Sequence, residues 1–114
     1  MSEHVKEFYE EFKKGVGKMQ KETPKTLSAF VNLFKETMGE GALTVAEKEA
    51  IAVGIAVAIQ CKPCLYLHVQ KAAQAGLSRA QILEAAGVAV MMAGGPGYTH
   101  VPEVINACDA VGVQ

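Results

Sequence analysis

Apolar residues recur along the chain at steps of three and four, the spacing of one helix face. Val5, Phe8, Tyr9, Phe12, Val16 and Met19 alternate with charged residues and predict an amphipathic helix that ends near Lys21. Thr23 before Pro24 reads as an N-cap followed by proline at the first helical position, where its missing N–H costs nothing. A second helix should follow, with Leu27, Phe30, Val31, Phe34 and Met38 as its stripe and Gly39 and Gly41 as its stop.

Thr44-x-x-Glu47 has the form of a capping box, so a third helix should begin near Val45. Its body, AIAVGIAVAI, is ambiguous: Ile51, Val53, Ile55, Val57 and Ile59 alternate with Ala and Gly as they would in a buried strand. The cap, the alanine content and a span of about sixteen residues favour a helix. Pro63 falls in the first turn of a fourth helix that runs to Ala75 and stops at Gly76. Ser78-x-x-Gln81 opens a fifth, with Leu77 and Ile82 placed as a hydrophobic staple. Its run ILEAAGVAVMMA holds one charge and is expected to be buried nearly all round, until GGPG at 94–97 breaks it. A last helix from about Pro102 puts Val104, Ile105, Cys108 and Val111 on one face. Internal repeats and low-complexity linkers are absent from the sequence. The expectation is one all-α domain of about six helices over 1–114, amphipathic in 1–40 and forming its core in 41–112.

Composition adds a partner. Half of the 114 residues are apolar, 20% are charged and none is Trp, so the excess lies in Ala, Val, Ile, Leu and Met. A domain this small has too little interior for that excess, which predicts a symmetric homo-oligomer. A net charge of −1 and a pI near 6.3, with Lys6 to Lys25 interleaved with glutamates, leave no basic patch for nucleic acid. The longest apolar run, Ala50–Ile59, is about half a bilayer span, so no membrane segment is expected. MSEHVKEFYEEF lacks the apolar stretch of a signal peptide, which predicts a cytoplasmic protein. In that reducing compartment three cysteines are no disulfide scaffold, and C-x-x-C reads as catalytic or metal-binding.

The candidate chemistry is CKPCLYLH, residues 61–68. With Cys61 at a helix start, Cys64 lies one turn on and His68 one turn further, all on one stripe. The free N–H groups and positive pole of a helix start stabilise a thiolate, and His68 can take the proton. Cβ atoms at this spacing in a regular helix are about 5–6 Å apart, whereas a disulfide wants about 3.5–4.5 Å. The pair therefore closes only if Cys61 leaves helical geometry, and Pro63 should help by biasing Lys62 towards extended dihedrals. Three readings stand: a redox pair; a zinc site with His68 as third ligand and only His100, Cys108 or a distant acid as fourth; or plain packing of small side chains. A thioredoxin-like variant of the first would make AIAVGIAVAI a strand. Cys108 reads as core, His100 beside Tyr98 as a loop cap or pocket lining, and His4 as exposed and without a role.

Glu49, eleven residues, CKPCLYLH, and then AAQAGLSRAQILEAAGVAVMMAGG resemble the carboxymuconolactone decarboxylase-like family, in particular its alkylhydroperoxidase D branch, over about residues 40–112. The signature of Glu, eleven residues, C-x-x-C, three residues and His is matched by Glu49, Cys61, Cys64 and His68. The resemblance implies an all-α fold and a homo-oligomer, trimer or hexamer, with the cysteines in a pocket near subunit contacts. It also implies that Cys64 attacks a peroxide substrate, that Cys61 resolves the sulfenic acid, and that His68 and Glu49 relay the proton. No cofactor is implied, and the reductant is a dithiol, in that branch a dihydrolipoyl group. The chain departs from the branch at Pro63, where alkylhydroperoxidase D carries another histidine, and it has one helical unit rather than two. Twelve residues of helix span about 18 Å, so Glu49 meets His68 only if the chain folds back or helix packing joins them. Otherwise Glu49 is an exposed first-turn carboxylate that favours the helix dipole.

Overall fold

A computed structural model describes residues 2–114, and these form six longer helices and one of four residues. They are α1 (Glu3–Glu22), α2 (Pro24–Met38), α3 (Val45–Ala58), α4 (Lys62–Gln74), α5 (Arg79–Ala93), α6 (Gly95–Tyr98) and α7 (Val101–Val111). The two capping boxes form as expected. Thr44 accepts from the Glu47 N–H while Glu47 accepts from the Thr44 N–H, and Ser78 and Gln81 do the same at the start of α5. Thr23 differs. It precedes Pro24, but its hydroxyl donates back to the Met19 carbonyl and caps nothing in α2.

α3 lies at the centre, packed on α4 and α5, with α7 against α4 and the first turns of α1 against α4 and α7. Leu65, Val69, Ile82, Val53, Val57 and Val104 are fully buried, each worth about 1.5–3 kcal/mol of transfer free energy. The alternation that mimicked a strand in α3 turns out to be two stripes of one helix. Residues two apart stand about 200° apart around the axis. Val53 and Val57 therefore face the core while Ile51, Ile55 and Ile59 form an outer ridge at least half exposed. The short form of the same effect corrects the expectation for α5. Ile82, Ala86 and Ala89 are buried, but Val88, Met91 and Met92 are exposed, because only one side of the helix has neighbours. α2 goes further and buries none of its residues, with Phe30, Val31 and Leu33 all more than half exposed.

Gly76 and Gly97 need glycine for two different reasons, a left-handed backbone and a close helix approach. Gly76 has φ +97 and ends α4, donating to Ala73 O while Leu77 donates to Ala72 O. A Cβ on Gly97 would stand 3.2 Å from Ala89 O, so α6 could not lie this close to α5. No described helix is long and apolar enough to cross a membrane.

Candidate active site

The site is made by the joint between α3 and α4. α3 ends with Gln60 in the left-handed region (φ 60), its N–H donating to Val57 O, and the Cys61 N–H reaches back to Ala56 O. This paired closure turns the chain sharply and hands Cys61 directly to α4 as its N-cap. Cys61 is extended (φ −99, ψ 95), and Lys62 is already helical. The break in helical geometry thus falls on Cys61 itself, not on Lys62 as expected from Pro63. Proline sits within the first turn, where it needs no donor, and the preceding closure of α3 sets the extended residue.

With Cys61 turned out of the helix, its Cα lies 5.3 Å from that of Cys64, and the two are joined as a disulfide. Both are half-buried. The Cys64 N–H donates to Cys61 Sγ at 3.3 Å, so a sulfur occupies the capping position normally taken by Ser or Asp. Negative charge developing there is stabilised by the positive pole of α4.

Because the joint is tight, α3 and α4 run back along each other, and Glu49 comes beside His68. Glu49 Oε1 is 2.7 Å from His68 Nδ1, across nineteen residues of sequence. Glu49 is 2% exposed, which excludes the reading of it as a solvent-facing first-turn carboxylate. With Nδ1–H donating to the carboxylate, Nε2 is left as the basic nitrogen. A depression of about 410 Å³ between Phe30, Leu33 and Phe34 of α2 and Ile55 of α3 with the adjoining Ile59 reaches both Cys64 and His68. The four residues singled out from the sequence are thereby gathered at one joint, as two contacts linked by a common cavity.

Two residues that the sequence did not single out stand beside them. The Phe34 ring is stacked on His68, with centroids 6.1 Å apart at 21°, and Lys71 Nζ lies 4.9 Å from the Phe34 centroid. In the sequence Phe34 was one member of a stripe, with nothing to distinguish it from Phe30.

The remaining candidates lie elsewhere. Cys108 is fully buried in α7, where burial pushes its thiol up. The His100 ring N–H donates to Pro96 O at 2.9 Å and caps the α6 turn. His4, expected to be without a role, is 2.7 Å from Glu103 Oε1 and meets the Tyr66 ring edge-on. Its Glu103 partner also accepts from the Tyr66 hydroxyl at 3.0 Å, so His4 helps to fasten α1 to α4 and α7. Among the described residues no group of three or more His, Cys, Asp or Glu is arranged to hold a metal ion.

An all-helical domain with a C-x-x-C disulfide at a helix start and a partly buried histidine–carboxylate pair one turn away is the class this structure defines. The profile of the carboxymuconolactone decarboxylase family matches residues 24–107, and the chain belongs to that family. An uncharacterised protein of Cupriavidus necator is 30% identical over 111 residues, covering 97% of this chain and 98% of its own. Uncharacterised protein 4 in the cox locus of Paracoccus denitrificans is 36% identical over 83 residues, 73% of this chain and 75% of its own. Among solved structures, a carboxymuconolactone decarboxylase family protein of Legionella pneumophila superposes with a TM-score of 0.90 at 30% identity, over 95% of this chain and 96% of that one. A Thermotoga maritima member, whose suggested role is in an antioxidative response, shares the fold with a TM-score of 0.74 at 24% identity, over 93% and 87% of the two chains.

Proposed function

We propose that the protein is a thiol-dependent peroxidase or thiol–disulfide oxidoreductase working through Cys61 and Cys64. The observation that carries the reading is the Cys61–Cys64 bond at a helix tip, with Cys64 sharing one cavity with a His68 that is paired to Glu49.

In the reduced state His68 Nε2 takes the Cys64 proton, and Glu49 stabilises the resulting imidazolium. The thiolate attacks the terminal oxygen of a hydroperoxide. An S–O bond forms, the O–O bond breaks, and the departing alkoxide takes the proton to leave as alcohol, or as water when the oxidant is hydrogen peroxide. Cys61 then attacks the sulfenic sulfur, expelling water and closing the disulfide. A dithiol restores both thiols by exchange and is itself oxidised to a disulfide; a dihydrolipoyl group fits this step. The suggested antioxidative role of the Thermotoga relative points the same way. The cycle suits the cytoplasm, where such reductants are maintained. The exposed ridges of α2, α3 and α5 support a homo-oligomer, trimer or hexamer, which sedimentation would count.

The test is peptide mapping after pre-reduced protein meets a small excess of cumene hydroperoxide. A Cys61–Cys64 crosslink forming faster than a free thiol oxidises, and reversed by dihydrolipoamide, is expected. Cys61→Ser should leave a trappable sulfenic acid on Cys64, and His68→Ala should slow oxidation in protein whose helix content circular dichroism shows to be intact. Thiols that react no faster than free cysteine at pH 7 would overturn the reading.

A further inference from the structure

α2 is the helix that the rest of the chain holds least, since it buries none of its residues and leaves Phe30, Val31 and Leu33 largely in solvent. Leu27, Phe34 and Met38 are its partly buried side chains, and of these Phe34 makes the ring contact with the site. Phe34 is partly buried, stacked on His68 and gripped by Lys71, so a single ring of α2 bridges two residues one turn apart on α4. Its spacing and near-parallel tilt fall within the range of favourable offset stacking, and the ammonium is within cation–π reach.

The ring also borders two separate depressions. One, of about 410 Å³, reaches Cys64 and His68; the other, of about 570 Å³, lies on the Glu49 side and is edged by Val45, Lys35 and Lys71. Phe34 and Met38 are common to both, and of the two Phe34 is the one stacked on His68.

We propose that Phe34 is a positioning residue for His68, held in place by Lys71. The proposal rests on the redox reading above and adds a residue to it. The physical need is plain from the geometry. Glu49 fixes the imidazole at one atom, Nδ1, through one hydrogen bond, and such a bond leaves the ring plane free to tilt about it. A flat contact restrains the plane. Together the two restraints aim Nε2, the nitrogen that must meet the Cys64 proton. Proton transfer is sensitive to such aim, because displacing a reacting group by about 1 Å can cost on the order of a hundredfold in rate. Lys71 enters by holding the ring, and its contribution is accordingly smaller.

The experiment compares Phe34→Leu, Phe34→Tyr, Lys71→Met and Lys71→Arg in the full chain. Pre-reduced protein is mixed with cumene hydroperoxide over a range of concentrations, which separates the limiting rate of disulfide formation from the half-saturating concentration. The His68 ring protons are followed by NMR in the same samples, and far-UV circular dichroism checks the helix content. Phe34→Leu should lower the limiting rate about tenfold with the half-saturating concentration little changed, and should move the His68 signals as the ring current is lost. Phe34→Tyr, which keeps the ring, should stay within about twofold of wild type, with Lys71→Met intermediate and Lys71→Arg close to wild type. Phe34→Leu oxidising at the wild-type rate, or Phe34→Tyr slowing as far as Phe34→Leu, overturns the inference. If wild type itself oxidises no faster than a free thiol, it is the redox reading that fails. The spectra then decide the positioning alone: His68 signals that move with Leu but not with Tyr uphold it, and signals unmoved by Leu overturn it.

Discussion

Two histidine–carboxylate contacts of the same length flank α4. One is made by its own His68 with Glu49 of α3, the other beside its Tyr66 by His4 of α1 and Glu103 of α7. His68 Nδ1 and Glu49 Oε1 are 2.7 Å apart, as are His4 Nε2 and Glu103 Oε1. Their surroundings differ. The side chains of His68 and Glu49 are 21% and 3% exposed, whereas those of His4 and Glu103 are 49% and 19% exposed. Breaking a buried pair by removing one partner leaves an uncompensated charge and costs about 3–5 kcal/mol. A pair in contact with water is worth about 0–1 kcal/mol. Bond length therefore says little about what either contact does. The buried pair opens onto the cavity that reaches Cys64, and the outer pair, joined by the Tyr66 hydroxyl, ties three helices together. One is suited to moving a proton, the other to holding α1 down.

The largest difference should appear on removing each carboxylate. Glu49→Ala should slow disulfide formation about a hundredfold in peroxide-mixing experiments and lower stability to urea by about 1–3 kcal/mol, because the His68 Nδ1–H left behind loses its acceptor rather than a counter-charge. Glu103→Ala should leave the oxidation rate within about twofold and cost about 1–2 kcal/mol, mainly by depriving the buried Tyr66 hydroxyl of its acceptor. Equal losses of rate in the two variants would erase the distinction.

Acid should weaken the outer pair in a defined window. Burial raises the Glu103 carboxyl, but hydrogen bonds from His4, Tyr66 and Asn106 and the charge of His4 outweigh it and hold the group below the usual 4.5. A carboxyl so depressed in the folded protein stabilises it fully above the unfolded value and loses that effect as pH falls through the folded one. The gap in thermal melts between wild type and Glu103→Gln should shrink as pH falls below about 4.5. A gap that widens in acid would contradict the sign.

Smaller effects follow from exposure and strain. His4→Ala should cost less than about 1 kcal/mol, less again in high salt, which denaturant titrations at two ionic strengths would register. At the joint that brings Glu49 to His68, Gln60→Gly should gain about 0.5 kcal/mol, since glycine adopts φ 60 without the steric cost that glutamine bears. A destabilised Gln60→Gly would mean that the Gln60 side chain holds the joint.

How much of this was legible beforehand depended on the range of the force involved. Thr44 with Glu47, Ser78 with Gln81, and Gly76 act over one turn, and each does what its local sequence implied. The C-x-x-C spacing likewise announced a pair that bonds once Cys61 leaves the helix, as it does, though Lys62, expected to be extended before Pro63, is helical. The expectation that α5 was buried all round failed because composition says how apolar a helix is, not how many neighbours it has. Phe34 escaped notice for a related reason, being one of several aromatic and aliphatic residues at equivalent spacing.

By itself the sequence determined the six longer helices, most of their ends, and that Cys64 and His68 share one stripe, because caps, turns and helical periodicity are decided within about four residues. Which of α3's two apolar stripes turned inward, the meeting of Glu49 with His68 across nineteen residues, and the stacking of Phe34 over that imidazole were decided only when the helices packed. Those contacts depend on how whole helices pack against one another, a sum over many distant side chains that no single stretch of chain contains.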